Sequence, residues 1–338
     1  MFKILGDGQD EIVEVNDSPT TKETEPPKSD VPNTHDHSKL QFGRDRTGQV
    51  FGQYQQSAPM IFTRDGHNMW FGDMYKGKSA FLILSGPSFG QILKGNSEEF
   101  GRPYRVLLNS PGFVTMSVNN AVSSFRTDMW VSNDSPSQFV RSVWDDPSIM
   151  KFCPWDNVSK PVFDSNEWDF TDVTPGDCPN TWFFRRNDKF EAEKFMYEDT
   201  FNWGSHKDYG GKRSVMLIAI RMLYYLGIRK VFLLGCDFKM NKDYTYHFEQ
   251  ARHDSSIRSN NSTYEALMER FGQLMPHFES LGFEVYNCNP ESALSVFPYM
   301  SVDDALKSAT DGFPNVETER TAGLYDREYL LRQEEKER

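Results

Sequence analysis

Cysteines are scarce. Only Cys153, Cys178, Cys236 and Cys288 occur in 338 residues, and no two form a CxxC pair. That spacing argues against a zinc ribbon, and so few thiols in so long a chain fit a reducing compartment. A long apolar run is also missing. A membrane span needs about 18 or more such residues, and the longest run here is broken by Arg221 and Gly227. Met1–Gly6 is too short for the apolar region of a signal peptide. These absences set the expectation of a cytoplasmic chain without a membrane span. Positive charge is in deficit: 37 Lys and Arg stand against 49 Asp and Glu, a net charge of −12. Such a chain has no general affinity for nucleic acid or anionic lipid. Two nucleotide signatures are absent as well, GxGxxG and GxxxxGK[ST], so neither an NAD site nor a P-loop is supported.

What the chain has in plenty is aromatic residues, 14% of the total. They must fill a core or line a pocket. Residues 7 to about 58 are polar and poor in large aliphatics, which predicts a disordered or loosely attached segment over 1–76, with a short strand or hairpin within Met1–Val15. A catalytic domain is expected over 77–312. The charged stretch beyond it, 313–338, predicts a solvated tail with a helix from Arg320 to Arg338.

Within 77–312, apolar runs end repeatedly in small or polar residues. Ala80–Leu84 predicts a buried strand ending at Ser85-Gly86-Pro87-Ser88. Tyr104–Leu108 predicts a second strand, Phe113–Val118 a third ending at Asn119-Asn120, and Asp128–Ser132 a fourth ending at Asn133-Asp134. Residues 145–212 are rich in Trp, Phe, Asp and Pro and read as an insertion forming one wall of the site, with a strand near Trp182–Arg186. Ser214–Leu226 predicts a helix closed by Gly227. Lys230–Leu234 predicts a strand ending at Gly235-Cys236-Asp237, Asn260–Leu281 a helix capped by Asn261 or Ser262, and Phe283–Cys288 a last strand. Ser301 is placed to cap a final short helix. Cys236 and Cys288 read as buried free thiols. Strands alternating with helices predict an α/β fold: a Rossmann-like, mostly parallel sheet with helices on both faces. Ligands of such sheets sit at the carboxyl ends of the strands.

Those ends carry the candidate site residues. Gly86 permits close backbone approach, Pro87 suits a first helical turn, and Ser88 is placed to cap the helix or to touch a phosphate or ribose. A plain strand-to-helix turn gives the same pattern. Asn119 and Asn120 present amides suited to a base or ribose, though Asn is also common in turns. Asp134 is placed to bind a metal, a ribose or an acceptor hydroxyl, or to make an Asx-turn. Gly210-Gly211-Lys212-Arg213-Ser214 sets two cations and an N-cap serine at a helix start, which suits a phosphate. A flexible loop with a capping serine is the bland counterpart. His247 is the candidate general base, with His253 as rival, an aromatic surface contact being the alternative; their spacing makes no metal site. The aromatic and Met stripe from Tyr264 to Phe278 reads as core.

Taken in order, Phe81–Ser88, Ser117–Ala121, Asp128–Asp134, Ser214–Asp237 and Tyr286–Ser292 resemble the 6-hydroxymethylpterin diphosphokinase-like Rossmann proteins. The layout is also similar to bacterial sialyltransferases that use a CMP-sugar. The resemblance covers roughly 77–306, apart from much of 145–209. It implies that Gly86, Ser88, Asn119 and Asn120 line the nucleotide and that Gly210–Ser214 faces its phosphates. It further implies a base matching His247 and an aromatic lid that selects the acceptor.

Three functions follow. The first is glycosyl transfer from a nucleotide-sugar, such as a CMP- or UDP-sugar, to an acceptor hydroxyl. The second is a diphosphokinase moving pyrophosphate from ATP to a hydroxymethyl heterocycle, with Mg²⁺ near Asp134 or Asp237. The third is a non-catalytic nucleotide-binding module.

Overall fold

The computed structural model describes residues 43–44, 50–51, 61–164, 169–187, 189–204, 212–240, 246–248 and 254–310. The expected strand near the N-terminus, the C-terminal helix, Gly210, Gly211 and His253 lie outside the described residues.

A nine-stranded sheet organises the chain. In chain order its strands are β1 (Ile61–Phe62), β2 (Asn68–Met69), β3 (Ala80–Ile83), β4 (Val114–Val118), β5 (Met129–Val131), β6 (Met150–Pro154), β7 (Thr181–Phe184), β8 (Lys230–Leu234) and β9 (Glu284–Asn287). They lie side by side as β9-β8-β3-β4-β5-β6-β7-β1-β2. Pairing is parallel from β9 through β7 and antiparallel only at β7-β1 and β1-β2. From β3 the strand order runs outward through β4, β5, β6 and β7, then returns to place β8 on the other side of β3. The switch point of the sheet therefore lies between β3 and β8, and parallel sheets form their ligand crevice at such a point.

The core explains the strand sequences. Ala80 and Leu82 of β3 and Val231 and Leu233 of β8 face one hydrophobic cluster, while Phe81, Ile83, Phe232 and Leu234 face another. Both faces are covered, so these strands read as unbroken apolar runs rather than alternating ones. On the first face lie α4 (Val215–Tyr225) and α5 (Asp254–Ser280). On the second lie α1 (Ser88–Lys94) and α6 (Val302–Thr310), through Phe89, Ala305, Leu306 and Ala309. Under β5, β6 and β7 the second face is filled by an aromatic cluster that takes in α3 (Arg141–Asp145), in which Trp130 meets Trp144 at 4.9 Å and Phe139 at 5.0 Å. The α/β sheet with helices on both faces is as expected.

Four expectations change. The sheet takes in residues ahead of Gly77, because β1 and β2 extend it beyond β7. Tyr104–Leu107 is a single helical turn, α2, following Pro103; Val106, which a buried strand would have hidden, is 56% exposed. The aromatic-rich segment 145–212 does not stand wholly apart from the sheet, since it supplies β6 and β7. Finally, α5 starts at Asp254, so Asn261 is not its cap. It sits inside the helix, accepting from the Met240 amide at 3.0 Å and donating to the Met240 carbonyl at 2.8 Å.

Two caps agree with the sequence. Ser214 has extended backbone and accepts from the Met216 amide at 3.1 Å, as an N-cap should. Ser301 accepts from Asp304 N at 3.1 Å and donates to its carboxylate at 2.6 Å, closing the start of α6. All four cysteines are buried and free.

Candidate functional site

The turns after β3 and β8 continue the sheet pairing past the strand ends. Leu84 N donates to Leu234 O at 2.8 Å and Gly86 N to Gly235 O at 2.9 Å. A Cβ on Gly86 would lie 1.9 Å from the Asp237 carboxylate and 2.5 Å from the Gly235 carbonyl. The glycine is therefore required by the approach of two strand-end loops, independently of any ligand. Asp237 is the hub of this junction. Its Oδ2 accepts from Ser88 Oγ at 2.7 Å and Ser88 N at 3.4 Å, and its Oδ1 from Asn289 Nδ2 at 3.1 Å. One buried carboxylate thus ties together the ends of β3, β8 and β9.

A cavity of about 510 Å³ opens over these strand ends. Of the expected residues, Gly86, Asn119, Asp134, Ser214 and Asp237 line it. Asn119 adopts a left-handed conformation (φ 45°). It binds Asp134 Oδ2 through Nδ2 at 3.0 Å and accepts from the Asn133 amide at 3.2 Å, so one side chain joins the ends of β4 and β5. Asp134 itself is exposed to the cavity. At the end of β8, Phe238 is also left-handed (φ 52°), a strained state for a bulky residue, and sets its ring 4.9 Å from Tyr264 of α5. Both rings line the cavity.

The opposite wall is cationic. The start of α4 enters the cavity with Lys212, Arg213, Ser214, Val215 and Met216. An 11-residue helix presents its positive end here. The Lys212 carbonyl is braced by Arg270 of α5.

Other expectations find different places. Pro87 opens α1 in helical conformation, as foreseen, but neither it nor Ser88 lines the cavity. Ser88 is buried and committed to Asp237, and α1 is only seven residues long. The phosphate contact expected of Ser88 thus has no geometric support. Asn120 lies behind the wall, its carbonyl accepting from Ser123 Oγ at 2.7 Å. His247 is also outside the cavity wall. Its Nε2 lies 3.0 Å from Leu84 O and its Nδ1 2.9 Å from Ser124 Oγ. A carbonyl only accepts, so Nε2 carries the hydrogen and Nδ1 accepts from the serine. The ring packs edge-on against Phe89 at 5.1 Å. Burial pushes its pKa down to about 4, against the opposing pull of the Leu84 carbonyl. A base must reach the proton it takes, and the basic nitrogen of this tautomer, Nδ1, already accepts from Ser124. In this arrangement His247 links the β3 turn to Ser124.

Among the described residues, no group of three or more His, Cys, Asp or Glu side chains is arranged to hold a metal ion. Both oxygens of Asp237 accept from protein donors, whereas Asp134 is exposed to the cavity. Sequence reasoning missed Trp203, which lines the cavity, and Arg186, which stacks on it. Neither lies in a recognisable motif; the neighbouring Gly-Gly-Lys-Arg run was the available signal.

No family model matches the chain, and no curated protein matches it. A solved structure to which it is similar is the MAf glycosyltransferase from Magnetospirillum magneticum AMB-1, with a TM-score of 0.40 and 11% sequence identity over 76% of this chain. The chain spans 39% of the length of that protein.

Proposed function

We propose that the chain is a transferase of the glycosyltransferase type, taking a sugar from a nucleotide-sugar to an acceptor hydroxyl. The observation that carries this reading is the cavity at the sheet's switch point, into which the start of α4 projects with Lys212 and Arg213. A phosphate suits such a helix start, where the positive end of the helix meets the cations Lys212 and Arg213. Asn119 and Asp134, at the ends of β4 and β5, face the same space with groups suited to hydroxyls. Asp134 replaces His247 in the role of base. It takes the proton of the acceptor hydroxyl as that oxygen bonds to the anomeric carbon, and the sugar–phosphate C–O bond breaks with its electron pair leaving on the nucleotide. A CMP- or UDP-sugar is the donor this reading favours.

The test is a thermal-shift panel of CMP, UDP, GDP and ATP, each with and without Mg²⁺, followed by donor consumption in the wild type and Asp134→Asn. A ligand at a hundred times its Kd stabilises by about 2.7 kcal/mol, which is readily seen. General-base assistance contributes about 10²–10⁴-fold, so Asp134→Asn should lose turnover in that range while keeping nucleotide affinity. Stabilisation by ATP alone, dependent on Mg²⁺, would favour the diphosphokinase. A nucleotide-sugar that binds and is never consumed, with any acceptor, would favour a binding module.

A further inference from the structure

Trp203 is buried, 5% exposed, yet contributes to the cavity wall, and its indole N–H finds no acceptor among the described residues. Two guanidinium groups share its ring: Arg186 Cζ lies 4.4 Å from the centroid and Arg213 Cζ 5.0 Å. Arg186 is fastened to the far side of the site. Its Nη1 donates to Asn133 Oδ1 at 2.8 Å and Asn133 O at 3.2 Å, beyond the end of β5, and its Nη2 lies 3.7 Å from Asp156. The main chain of Trp203 is joined to the start of α4 as well, accepting from Ser214 N at 3.1 Å, while the next residue, Gly204, bridges Arg213. A Cβ on Gly204 would collide with the Lys212 carbonyl at 2.3 Å, so the two segments are held in close contact.

The indole thus spans the gap between the β5 end and the α4 start. Attraction of a cation to the indole face fixes where Arg213 sits. We propose that Trp203 is the positioning residue that holds Arg213 at the first turn of α4, giving the cavity its preference for a phosphorylated nucleotide over the bare nucleoside. This inference rests on the nucleotide reading above. A Trp that merely fills space would affect stability, or the affinity for both ligands alike. A positioning Trp affects only the phosphate-dependent part.

The experiment measures CMP against cytidine, and UDP against uridine, by titration calorimetry on the full chain. Wild type, Trp203→Leu, Trp203→Phe and Arg186→Gln are compared. Trp203→Leu should lose about tenfold of the nucleotide-over-nucleoside preference, the size of a partly desolvated cation–π contact, with nucleoside affinity unchanged. Trp203→Phe keeps an aromatic face and should restore most of the preference. Should Trp203→Leu fail to fold, Arg186→Gln leaves the ring in place and is expected to lower the preference by about threefold. An unchanged preference in the variants that fold overturns the inference while leaving the nucleotide reading intact, as does an equal loss for both ligands. A wild-type protein that binds neither CMP nor UDP overturns both.

Discussion

Replacing His247 by leucine should flatten the acid limb of the stability curve. The ring is neutral in the folded protein because burial disfavours its charged form, with a pKa of about 4 against 6.5 for the free side chain. Between those values the unfolded chain binds a proton that the folded chain does not. Stability is therefore lost as pH falls from 6.5 towards 4, and the loss is complete below that. Linkage puts this at about 2 kcal/mol on going from pH 7 to pH 5. Other groups contribute to acid sensitivity too: the Asp146 and Asp177 carboxyls are held below their usual range by hydrogen bonds to Ser148 and Thr174 and by Arg126 and Arg64. The difference between wild type and His247→Leu cancels them. Urea unfolding at pH 7, 6 and 5 should show wild type losing about 2 kcal/mol more than the variant over that span. Parallel curves, or a His247 ring proton titrating near 6.5, would refute the reasoning. They would also return His247 to consideration as a base, since a freely titrating ring is a solvent-accessible one.

Other expectations concern the strand-end junction and the helix start. Gly86→Ala places a methyl against the Asp237 carboxylate and the Gly235 carbonyl; a cost of about 3 kcal/mol or more is expected in denaturant unfolding. Ser88→Ala removes a 2.7 Å donor from that buried carboxylate and should cost about 1.5–3 kcal/mol with nucleotide affinity unchanged, measured by calorimetry. Ser214→Ala removes the α4 cap and should cost about 1 kcal/mol together with a measurable loss of CMP or UDP affinity. The contrast between the two serines separates a structural turn from a ligand-facing helix start.

Much of the sheet was legible because its central strands are buried on both faces. Ala80–Ile83 and Lys230–Leu234 cannot be read as anything amphipathic. The strand β6 was hidden by its own composition: Met150–Pro154 contains Lys151 and ends in proline. Lys151 is fully buried, its ammonium donating to the carbonyls of Asp146 at 2.6 Å, Ile149 at 3.1 Å and Pro179 at 2.7 Å, a solution that only the fold reveals. The first turns of α5 were missed because Asp254–Asn260 is polar and packs mainly through Ile257. In the site, glycine and asparagine at strand ends pointed to the edge of the sheet over which the cavity opens. They did not show that Ser88 and Asp237 would satisfy each other, nor that Trp203 and Arg186, 17 positions apart in sequence, would meet.

The most direct test of the account is a crystal structure of the complex with whichever nucleotide gives the largest thermal shift. The phosphate should lie at the first turn of α4, within hydrogen-bonding distance of the Ser214 and Val215 region and beside Arg213. A phosphate seated instead at the first turn of α1, on Ser88, or a nucleotide bound outside the cavity, would contradict it.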